Sequence, residues 1–266
     1  MKNETVILIT GCSSGIGREL CKVLYEKGYT VVATAREVET LKDLTVALKL
    51  SLDVTKEESI SAAINEVIAR FKKIDILINN AGYSIRGALE EINVENAKSM
   101  FNVNVFGIIN MIQAVVPEMR KKGSGKIINI GSISGKFVQP INGAYCASKY
   151  AVEALSDALR LELHNYNIQS TVIELGPTKT NFFKNMANNS EELMSNVNSY
   201  YSTFYQSDSR YRDKQKLTDS KEASEAIAEI ILKKRIKSRY EVAVPFSYNM
   251  AVHLPDSLRE YIMKKR

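Results

Sequence analysis

The sequence places a tyrosine and a lysine four residues apart in Tyr145-Cys146-Ala147-Ser148-Lys149. On a helix, this spacing puts both side chains on one face. A phenol has an ordinary pKa of about 10, and a neighbouring ammonium group stabilises the phenolate and lowers that value. The pair is therefore a candidate general acid and base, in which Tyr145 donates and accepts the proton.

A serine thirteen residues before Tyr145 could complete such a site. Ser132 follows an apolar run, 126–130, in a stretch that reads Gly131-Ser132-Ile133-Ser134-Gly135. A hydroxyl at the carboxyl end of a strand could hold a carbonyl oxygen against the tyrosine. The run Asn79-Asn80-Ala81-Gly82 and Asn104 also lie in apolar surroundings, where asparagine side chains need hydrogen-bond partners.

A glycine-rich stretch, Thr10-Gly11-Cys12-Ser13-Ser14-Gly15-Ile16-Gly17, lies between the first apolar run and the first amphipathic segment. Its three glycines would let the backbone turn tightly, approach a pyrophosphate and pack a helix against a strand. The N-terminus of the following helix would supply N–H donors and positive potential. The order strand, turn and helix favours a dinucleotide-binding site over a purely structural turn.

The end of the second apolar run indicates which dinucleotide is bound. A carboxylate there would accept a hydrogen bond from the ribose 2′-hydroxyl of NAD, but the sequence reads Thr34-Ala35-Arg36. The planar fork of arginine suits a 2′-phosphate, so NADP(H) is favoured. Glu37 follows immediately and would serve NAD(H) if the strand ran one or two residues further.

Alternating strands and helices would position these residues. Short apolar runs alternate with longer segments whose apolar residues recur every three to four positions. The predicted strands are 6–10, 30–34, 49–52, 75–78, 126–130, 169–175 and 240–244, and the predicted helices are 16–27, 56–71, 94–122, 144–166 and 220–234. This pattern predicts an α/β fold, a single doubly wound Rossmann domain over residues 1–266 with a parallel sheet of about seven strands and helices on both faces. The carboxyl ends of the strands would share the ligand-binding edge.

Five motifs occur in an order and spacing that resemble the short-chain dehydrogenase/reductase family. They are the glycine turn, Asp53 after the third strand, the 79–82 run, Ser132 with Tyr145 and Lys149, and Gly176-Pro177-Thr178. The resemblance runs from about Thr5 to Val244. It implies an NADP(H)-dependent oxidoreductase that interconverts a carbonyl group and a primary or secondary alcohol. The residues of the glycine turn and of 145–149 are similar to those of the steroid and retinol dehydrogenase branch.

The resemblance also implies roles for individual residues. Tyr145 would be the proton donor and acceptor, Ser132 would hold the substrate oxygen, and Lys149 would lower the pKa of Tyr145 and bind the nicotinamide ribose. The backbone of Asn104 would position a water molecule in the proton relay. The cofactor-binding residues would be Gly11, Cys12, Ser13, Ser14, Gly15, Ile16, Gly17, Arg36, Asp53, Val54, Asn80, Ala81, Gly82, Tyr145, Lys149, Pro177, Thr178 and Thr180. Ser14 departs from the basic residue that often precedes the second glycine in NADP-preferring members.

The composition is that of an ordinary globular protein, with 266 residues of which 45% are hydrophobic and 25% are charged. It excludes collagen-like and disordered chains. The formal charge of +6 is concentrated in two places, since residues 233–239 contain five basic residues and the last three residues are all basic. A solvated helix end and a basic C-terminal tail explain these clusters better than a polyanion-binding patch, so no nucleic-acid partner is predicted.

Three cysteines and two histidines are too few and too scattered for a disulfide framework or a metal site. No apolar run reaches the roughly 18 residues of a membrane span. The apolar run 6–9 is shorter than the signal-peptide core of about 7 residues or more. We therefore expect a cytoplasmic protein without membrane insertion.

Residues 179–219, here called the lid segment, lack sustained periodicity and predict an irregular lid over a small-molecule substrate. Several residues predict a largely apolar pocket, namely Tyr83, Phe137, Val138, Phe182, Phe183 and Met186. The long apolar segments 94–116 and 144–163 resemble those that pair subunits in the family, which implies a homodimer or homotetramer. The alternative function is a catalytically silent NADP(H)-binding regulator on the same fold, which would not need the complete set of Ser132, Tyr145 and Lys149.

Overall fold

The structure is a computed structural model that describes residues 3–213 and 216–264. The strands in this part of the chain are β1 (Asn3–Ile9), β2 (Tyr29–Ala35), β3 (Leu48–Ser51), β4 (Ile76–Asn79), β5 (Gly125–Ile130), β6 (Ile168–Leu175), β7 (Thr178–Lys179), β8 (Thr218–Asp219) and β9 (Arg239–Val242). Seven of them form one sheet in the order β3-β2-β1-β4-β5-β6-β9, and every neighbouring pair is parallel. The strands β7 and β8 form a separate two-stranded sheet.

The helices are α1 (Gly15–Glu26), α2 (Glu57–Phe71), α3 (Val94–Phe101), α4 (Gly107–Lys122), α5 (Gly143–Glu162), α6 (Asn181–Met194), α7 (Ser202–Asp213), α8 (Ser220–Leu232), α9 (Phe246–His253) and α10 (Asp256–Lys264). Helices α1 and α8 cover one face of the sheet, while α2, α4 and the end of α5 cover the other. Strands β2 and β3 lie on one side of β1 in the sheet, and β4, β5, β6 and β9 lie on its other side. This is the predicted doubly wound Rossmann sheet.

The side chains of β1 show why both faces need helices. Ile7 and Ile9 belong to the core cluster under α1 and α8, whereas Val6 and Leu8 belong to the cluster under α2 and α4. Successive side chains of a strand point to opposite faces, so the part of β1 that is covered on both faces, residues 6–9, is apolar at each position.

The carboxyl ends of the strands meet at one edge, and the strand order reverses between β1 and β4. Ile9 at the end of β1 pairs with Ile78 of β4. On the other side of β4, the Asn79 amide donates to Asn129 Oδ1 of β5 at 2.9 Å. The turn after β1 and the run after β4 therefore face each other at the switch point, where ligands bind in such sheets.

The predicted helix 94–122 is not one regular helix. Helix α3 ends at Phe101, Asn102–Phe106 form a π-helix, and α4 begins at Gly107, whose N–H donates to the carbonyl five residues back. Short π-helical turns occur frequently at functional sites. The interruption contains Asn104, one of the predicted site residues.

The lid segment is helical, so the prediction of an irregular insertion is wrong. It forms β7, α6, α7 and β8. The apolar residues Phe182, Met186 and Leu193 are separated by four and seven positions, which is helical spacing. The many asparagines and serines between them have modest helix propensity and obscured this pattern.

The segment after β9, predicted as a basic tail, also contains regular structure. It forms α9 and α10, whose Tyr248 and Met263 pack with Ile133 and Phe137. Lys265 and Arg266, which belong to the predicted basic tail, lie outside the described residues.

Within the described ranges, one helical stretch, Val94–Lys122, is long and apolar enough by length and composition to count as a candidate membrane span. Its Met111, Val115 and Met119 are fully buried in the core against the sheet. A core helix of this fold passes the same test, so the stretch gives no support for membrane insertion.

Candidate active site

A cavity of about 810 Å³ opens at the carboxyl edge of the sheet. It is lined by the glycine turn, the ends of β2, β4, β5 and β6, the first turns of α5, and parts of α6 and α7. All the predicted site residues line it except Cys12, Gly17 and Asn104. The fold therefore brings together side chains that lie up to 170 positions apart in the sequence.

The glycine turn is shaped by close approaches that only glycine permits. A Cβ atom on Gly11, which has a φ of +71°, would lie 2.8 Å from the Ala81 Cα atom. A Cβ atom on Gly17 would lie 2.4 Å from Asn80 Nδ2. Gly17 and Cys12 support the turn from behind the cavity, and Cys12 donates its N–H to Thr34 O and its thiol to Ile9 O.

Thr10 and Asn80 connect the turn to β4. The Thr10 hydroxyl accepts hydrogen bonds from the N–H groups of Asn80 and Ala81, both at 3.0 Å. The Asn80 amide donates in return to the carbonyls of Thr10 and Gly11 at 2.9 and 3.0 Å. The side chain of Asn80, predicted to meet the adenosine half of the cofactor, thus holds the turn in shape.

Two helix N-termini point to a site for phosphates. Ser14 is the N-cap of α1, and its side chain makes no capping hydrogen bond. The Ser14 side chain therefore does not occupy the N–H groups of the first helical turn. Helix α6 begins nearby, since a Cβ atom on Gly15 would lie 3.3 Å from Thr180 Cβ. The close-packed glycines and the helix ends fit a pyrophosphate, which the turn would bind through backbone N–H groups.

Arg36 and Asp53 lie at the other end of the cavity. Strand β2 ends at Ala35, so Arg36 comes directly after the strand and lines the cavity, whereas Glu37 does not line it. Burial opposes ionisation of Asp53, but hydrogen bonds from Thr55 and the charges of Lys56 and Arg36 hold its pKa below the usual value. This end therefore presents one exposed cation beside one ionised carboxylate.

The candidate catalytic residues converge at the middle of the cavity. The Ser132 side chain lies close enough to the Tyr145 hydroxyl to lower the pKa of the phenol, and the Tyr145 ring packs against Phe182 with centroids 5.8 Å apart. Lys149 Nζ donates to the Ile130 carbonyl at 2.8 Å and lies 5.8 Å from the Tyr145 ring centroid. Ser132 also accepts from Ser134 N, which fixes its side chain at the start of a short 3-10 turn.

The pKa of Tyr145 departs from the ordinary value in the direction opposite to the prediction. Burial of the phenol raises its pKa, and the neighbouring Ser132 side chain opposes this rise only in part. Burial also lowers the pKa of Lys149 to about 8. The predicted lowering by Lys149 does not dominate, because desolvation of the phenolate outweighs the nearby charges.

Asn104 lies behind the cavity wall with its side chain fully engaged. Its Oδ1 accepts from Tyr83 N at 3.0 Å, and its Nδ2 donates to Tyr83 O at 2.9 Å and to Ser148 Oγ at 3.1 Å. These bonds tie the π-helix to α5 and to the chain after β4. The side chain of Asn104 therefore has an architectural role, and the predicted role of its backbone stays a prediction.

The substrate end of the cavity is more polar than predicted. Tyr83, Phe182, Phe183 and Met186 line it as expected. Phe137 does not, because its ring packs on Tyr248 at 5.6 Å, and Val138 is exposed on the surface away from the lining. Polar side chains complete this end, namely Ser84, Arg86, Gln139, Asn142, Asn185, Asn188, Asn189 and Asp208.

Sequence reasoning missed the residues that hold the lid segment in place. Arg86, after β4, forms an ion pair with Asp208 of α7 at 2.7 Å, and its N–H donates to Ser190 Oγ of α6 at 2.8 Å. The Tyr205 hydroxyl of α7 donates to Glu91 Oε2 at 2.6 Å. Because these partners lie more than 100 residues apart, no local pattern could have paired them.

Within the described part of the chain, no group of three or more His, Cys, Asp or Glu side chains could hold a metal ion. The chemistry that this arrangement supports is proton transfer by a buried phenol next to a dinucleotide site. A doubly wound sheet with a glycine turn and a Ser-Tyr-Lys set defines a nucleotide-dependent oxidoreductase.

Comparisons with known proteins agree with this class. A family model described as short chain dehydrogenase matches residues 5–191. A 3-ketodihydrosphingosine reductase from Bacteroides thetaiotaomicron is 36% identical over 264 residues, which cover 97% of this chain and 96% of that protein. Human 17-beta-hydroxysteroid dehydrogenase type 1 is 34% identical, with 86% and 73% covered. The crystal structure of a short-chain dehydrogenase from Streptomyces avermitilis matches with a TM-score of 0.82 and 28% identity, covering 99% of this chain and 96% of that one.

The chain therefore belongs to the short-chain dehydrogenase family. It is an NAD(P)-dependent oxidoreductase that acts on CH–OH and C=O groups of small molecules.

Proposed function

We propose that this enzyme is an NADP(H)-preferring carbonyl reductase and alcohol dehydrogenase for substrates with an apolar body, and that Tyr145 is its general acid and base. The convergence of Ser132, Tyr145 and Lys149 in one cavity, with the Ser132 side chain beside the Tyr145 hydroxyl, carries the proposal. This pair offers two hydroxyl groups to one substrate oxygen.

Each of the three residues has a distinct task in reduction. Ser132 donates a hydrogen bond to the substrate oxygen and polarises the carbonyl group. Tyr145 gives its proton to that oxygen, and its raised pKa keeps the phenol protonated at neutral pH, which is the form a proton donor needs. Lys149 places a positive charge beside the phenolate that forms. The nicotinamide supplies or accepts the hydride when it is bound. In oxidation, Tyr145 takes the proton back.

The preference for NADP(H) rests on Arg36. It lines the cavity directly after β2, while Glu37, the carboxylate that would suit NAD(H), does not. A guanidinium group binds a 2′-phosphate through paired hydrogen bonds. Asp53 lines the same end of the cavity as Arg36. Its carboxylate could accept hydrogen bonds from N–H or O–H groups of the adenosine.

The substrate end supports a ketone or alcohol that combines an apolar body with a polar group. Phe182, Phe183 and Met186 offer apolar surface, and the asparagines of α6 together with Gln139 offer hydrogen bonds. The two relatives compared above are named for a ketosphingoid base and a hydroxysteroid, which combine a large hydrocarbon part with polar groups. We propose a substrate of this kind.

Two further properties belong to the same proposal. Phe106, Tyr150 and Leu161 are apolar and exposed on or beside α4 and α5, and they support a homodimer or homotetramer formed through these helices. The molar mass in solution, measured by light scattering, would test this. We place the enzyme in the cytoplasm, which fractionation of the cells that produce it would test.

The experiment for the activity is Tyr145→Phe, which removes only the hydroxyl. We expect NADPH to bind as in the wild type while turnover of a panel of ketosphingoid and ketosteroid substrates falls at least a thousandfold, on the order of the largest acid-base contributions. Tyr200→Phe, which removes the hydroxyl of an exposed tyrosine outside the cavity, is the matched control and should leave turnover unchanged. Undiminished turnover by Tyr145→Phe would refute the assignment, and a wild type that binds NADPH without turning over any carbonyl compound would favour a silent regulator.

A further inference from the structure

A second group of charged residues lies buried behind the catalytic lysine. Glu153 follows Lys149 by one turn of α5 and is only 7% exposed, and Glu174 on β6 is only 3% exposed. Buried carboxylates are costly unless cations and hydrogen bonds compensate them. Neither residue belongs to the family motifs noted above or lines the cavity, so the catalytic site as described leaves their burial unexplained.

Arg239 at the start of β9 joins this group. Its Nε donates to Glu153 Oε2 at 2.9 Å and lies 3.5 Å from Glu174 Oε1, and its Nη2 donates to Asp157 Oδ2. Arg239 therefore differs from the rest of the 233–239 basic cluster, in which Lys233, Lys234, Arg235 and Lys237 are exposed. The prediction of a solvated helix end is wrong for Arg239, because its guanidinium forms ion pairs with buried and half-buried carboxylates.

The network touches the backbone that carries the active site. A Cβ atom on Gly131 would lie 3.4 Å from Glu153 Oε1, and one on Gly135 would lie 2.9 Å from Lys149 O and 3.2 Å from Glu153 Cγ. The two glycines flank Ser132 on either side. The turn of α5 from Lys149 to Glu153 thus packs directly against the loop that presents the catalytic serine.

We propose that Glu153 is a positioning residue whose carboxylate holds Lys149 in its charged form, and that Arg239 anchors this carboxylate. The inference rests on the proposed function, since it assigns a task to Lys149. It extends the site from the cavity to the far side of α5 and to β9, the last strand of the sheet.

The electrostatics around Lys149 agree with this arrangement. Burial lowers the pKa of Lys149 and would favour the neutral amine, and the Glu153 carboxylate is the charge that raises it again. The pKa of Glu153 itself is raised, because burial and repulsion by Glu174 disfavour its charged form. The hydrogen bond from Arg239 and the charge of Lys136 oppose this rise.

Other charged and titratable groups surround Lys149 and the network. Tyr145 lies on the same helix one turn earlier, Glu174 faces the network from β6, and Lys136 comes from the loop after β5 and lies 3.5 Å from Glu174. Arg239 is the cation with a direct hydrogen bond to Glu153. Among the described residues, Glu153 is the carboxylate that lies one helical turn from Lys149.

The test measures the protonation of Lys149 directly. The protein is labelled with ¹³C at the lysine Cε atoms, the Lys149 signal is assigned with Lys149→Arg, and its chemical shift is followed between pH 5 and 11. We expect Glu153→Gln, which keeps shape and removes charge, to lower the midpoint by about one pH unit, a tenfold loss of proton affinity. Asp157→Asn is the matched control, because it removes the other carboxylate hydrogen-bonded to Arg239 and should leave the midpoint unchanged.

An unchanged midpoint in Glu153→Gln would overturn the proposal, as would an equal shift in Asp157→Asn. If the Glu153→Gln variant does not fold, the wild-type titration tests the proposal instead. Protonation of Glu153 at acidic pH should appear as a second inflection in the chemical shift of Lys149. The absence of this inflection would refute the link between the two residues. These measurements need no turnover, so they remain decisive even if the proposed reaction is wrong. Where turnover is observed, the high-pH decline of kcat should move by the same amount.

Discussion

Arg86 and Asp208 form a largely buried ion pair, with 2.7 Å between Nη2 and Oδ1, that ties α7 to the chain segment after β4. Both side chains line the cavity. The pair closes the substrate end from one side, while Ser190 of α6 accepts a hydrogen bond from the Arg86 backbone. The two helices of the lid segment are therefore tied to the chain segment after β4 at the wall of the cavity.

Asp208→Asn should loosen this attachment. Removing one charge leaves the guanidinium of Arg86 buried with weaker compensation. We expect KM for the carbonyl substrate to rise about tenfold, equivalent to about 1.4 kcal/mol, while the dissociation constant of NADPH changes little. Steady-state kinetics and NADPH fluorescence measure the two quantities. Glu192→Gln, an exposed carboxylate on α6, should alter neither, and an unaltered KM in Asp208→Asn would show that the pair does not shape the substrate end.

Arg36→Ala should change the choice of cofactor. Loss of the guanidinium removes the charge that would bind the 2′-phosphate, so we expect KM for NADPH to rise at least tenfold while KM for NADH stays within about twofold. Comparing the two KM values in one assay checks this. Glu37→Gln, which does not face the cavity, is the control. Equal losses with both cofactors would mean that Arg36 supports the fold of this end and does not select the phosphate.

The rate of reduction should fall at alkaline pH. Burial lowers the pKa of Lys149 to about 8, so its ammonium is charged below that pH and loses its proton above it. We expect kcat for reduction to be level below about pH 8 and to decline by up to tenfold per pH unit above it, because the neutral amine no longer stabilises the phenolate of Tyr145. The pH profile of NADPH oxidation measures this decline. Lys98→Met, at an exposed lysine on α3, should keep the same profile, and a level profile up to pH 10 in the wild type would contradict the assignment.

Asp75 should contribute to stability above acidic pH. Its Oδ2 accepts from Val6 N of β1 at 2.8 Å, and Lys122 and Lys73 lie beside it. Burial opposes its ionisation, but these partners hold its pKa below the usual value. A carboxylate whose pKa is lowered by folding stabilises the protein above its unfolded-state pKa of about 3.9, and this contribution is lost as the pH falls through the folded value.

We therefore expect Asp75→Asn to lower the free energy of unfolding by about 1–3 kcal/mol at pH 7 and to have little effect near pH 2. Urea unfolding at both pH values measures the difference. Glu95→Gln removes an exposed carboxylate that pairs with Lys98 and should change stability by less than about 0.5 kcal/mol. An equal loss for Asp75→Asn at both pH values would point to lost packing and not to the charge.

Several features could be predicted because their signals are local. The glycine turn needs residues without side chains at positions 11 and 17, where a Cβ atom would meet Ala81 or Asn80, and such a requirement is visible in the residue types. Tyr145 and Lys149 share a helix face because of their spacing. The inner strands β4, β5 and β6 follow from apolar runs that are mostly buried on both faces, whereas the edge strands β3 and β9 are less buried and gave weaker signals.

The sequence by itself determined the fold class, the dinucleotide turn and the identity of the catalytic candidates, because each depends on residues close together in the chain. Only the tertiary structure decided the ion pair between Arg86 and Asp208 and the ion pair between Arg239 and Glu153. It also decided that the pKa of Tyr145 is raised and not lowered. These depend on which distant groups share one buried volume and on how far that volume excludes water. Desolvation and long-range ion pairs arise only when the chain is folded, so no spacing along the chain could have predicted them.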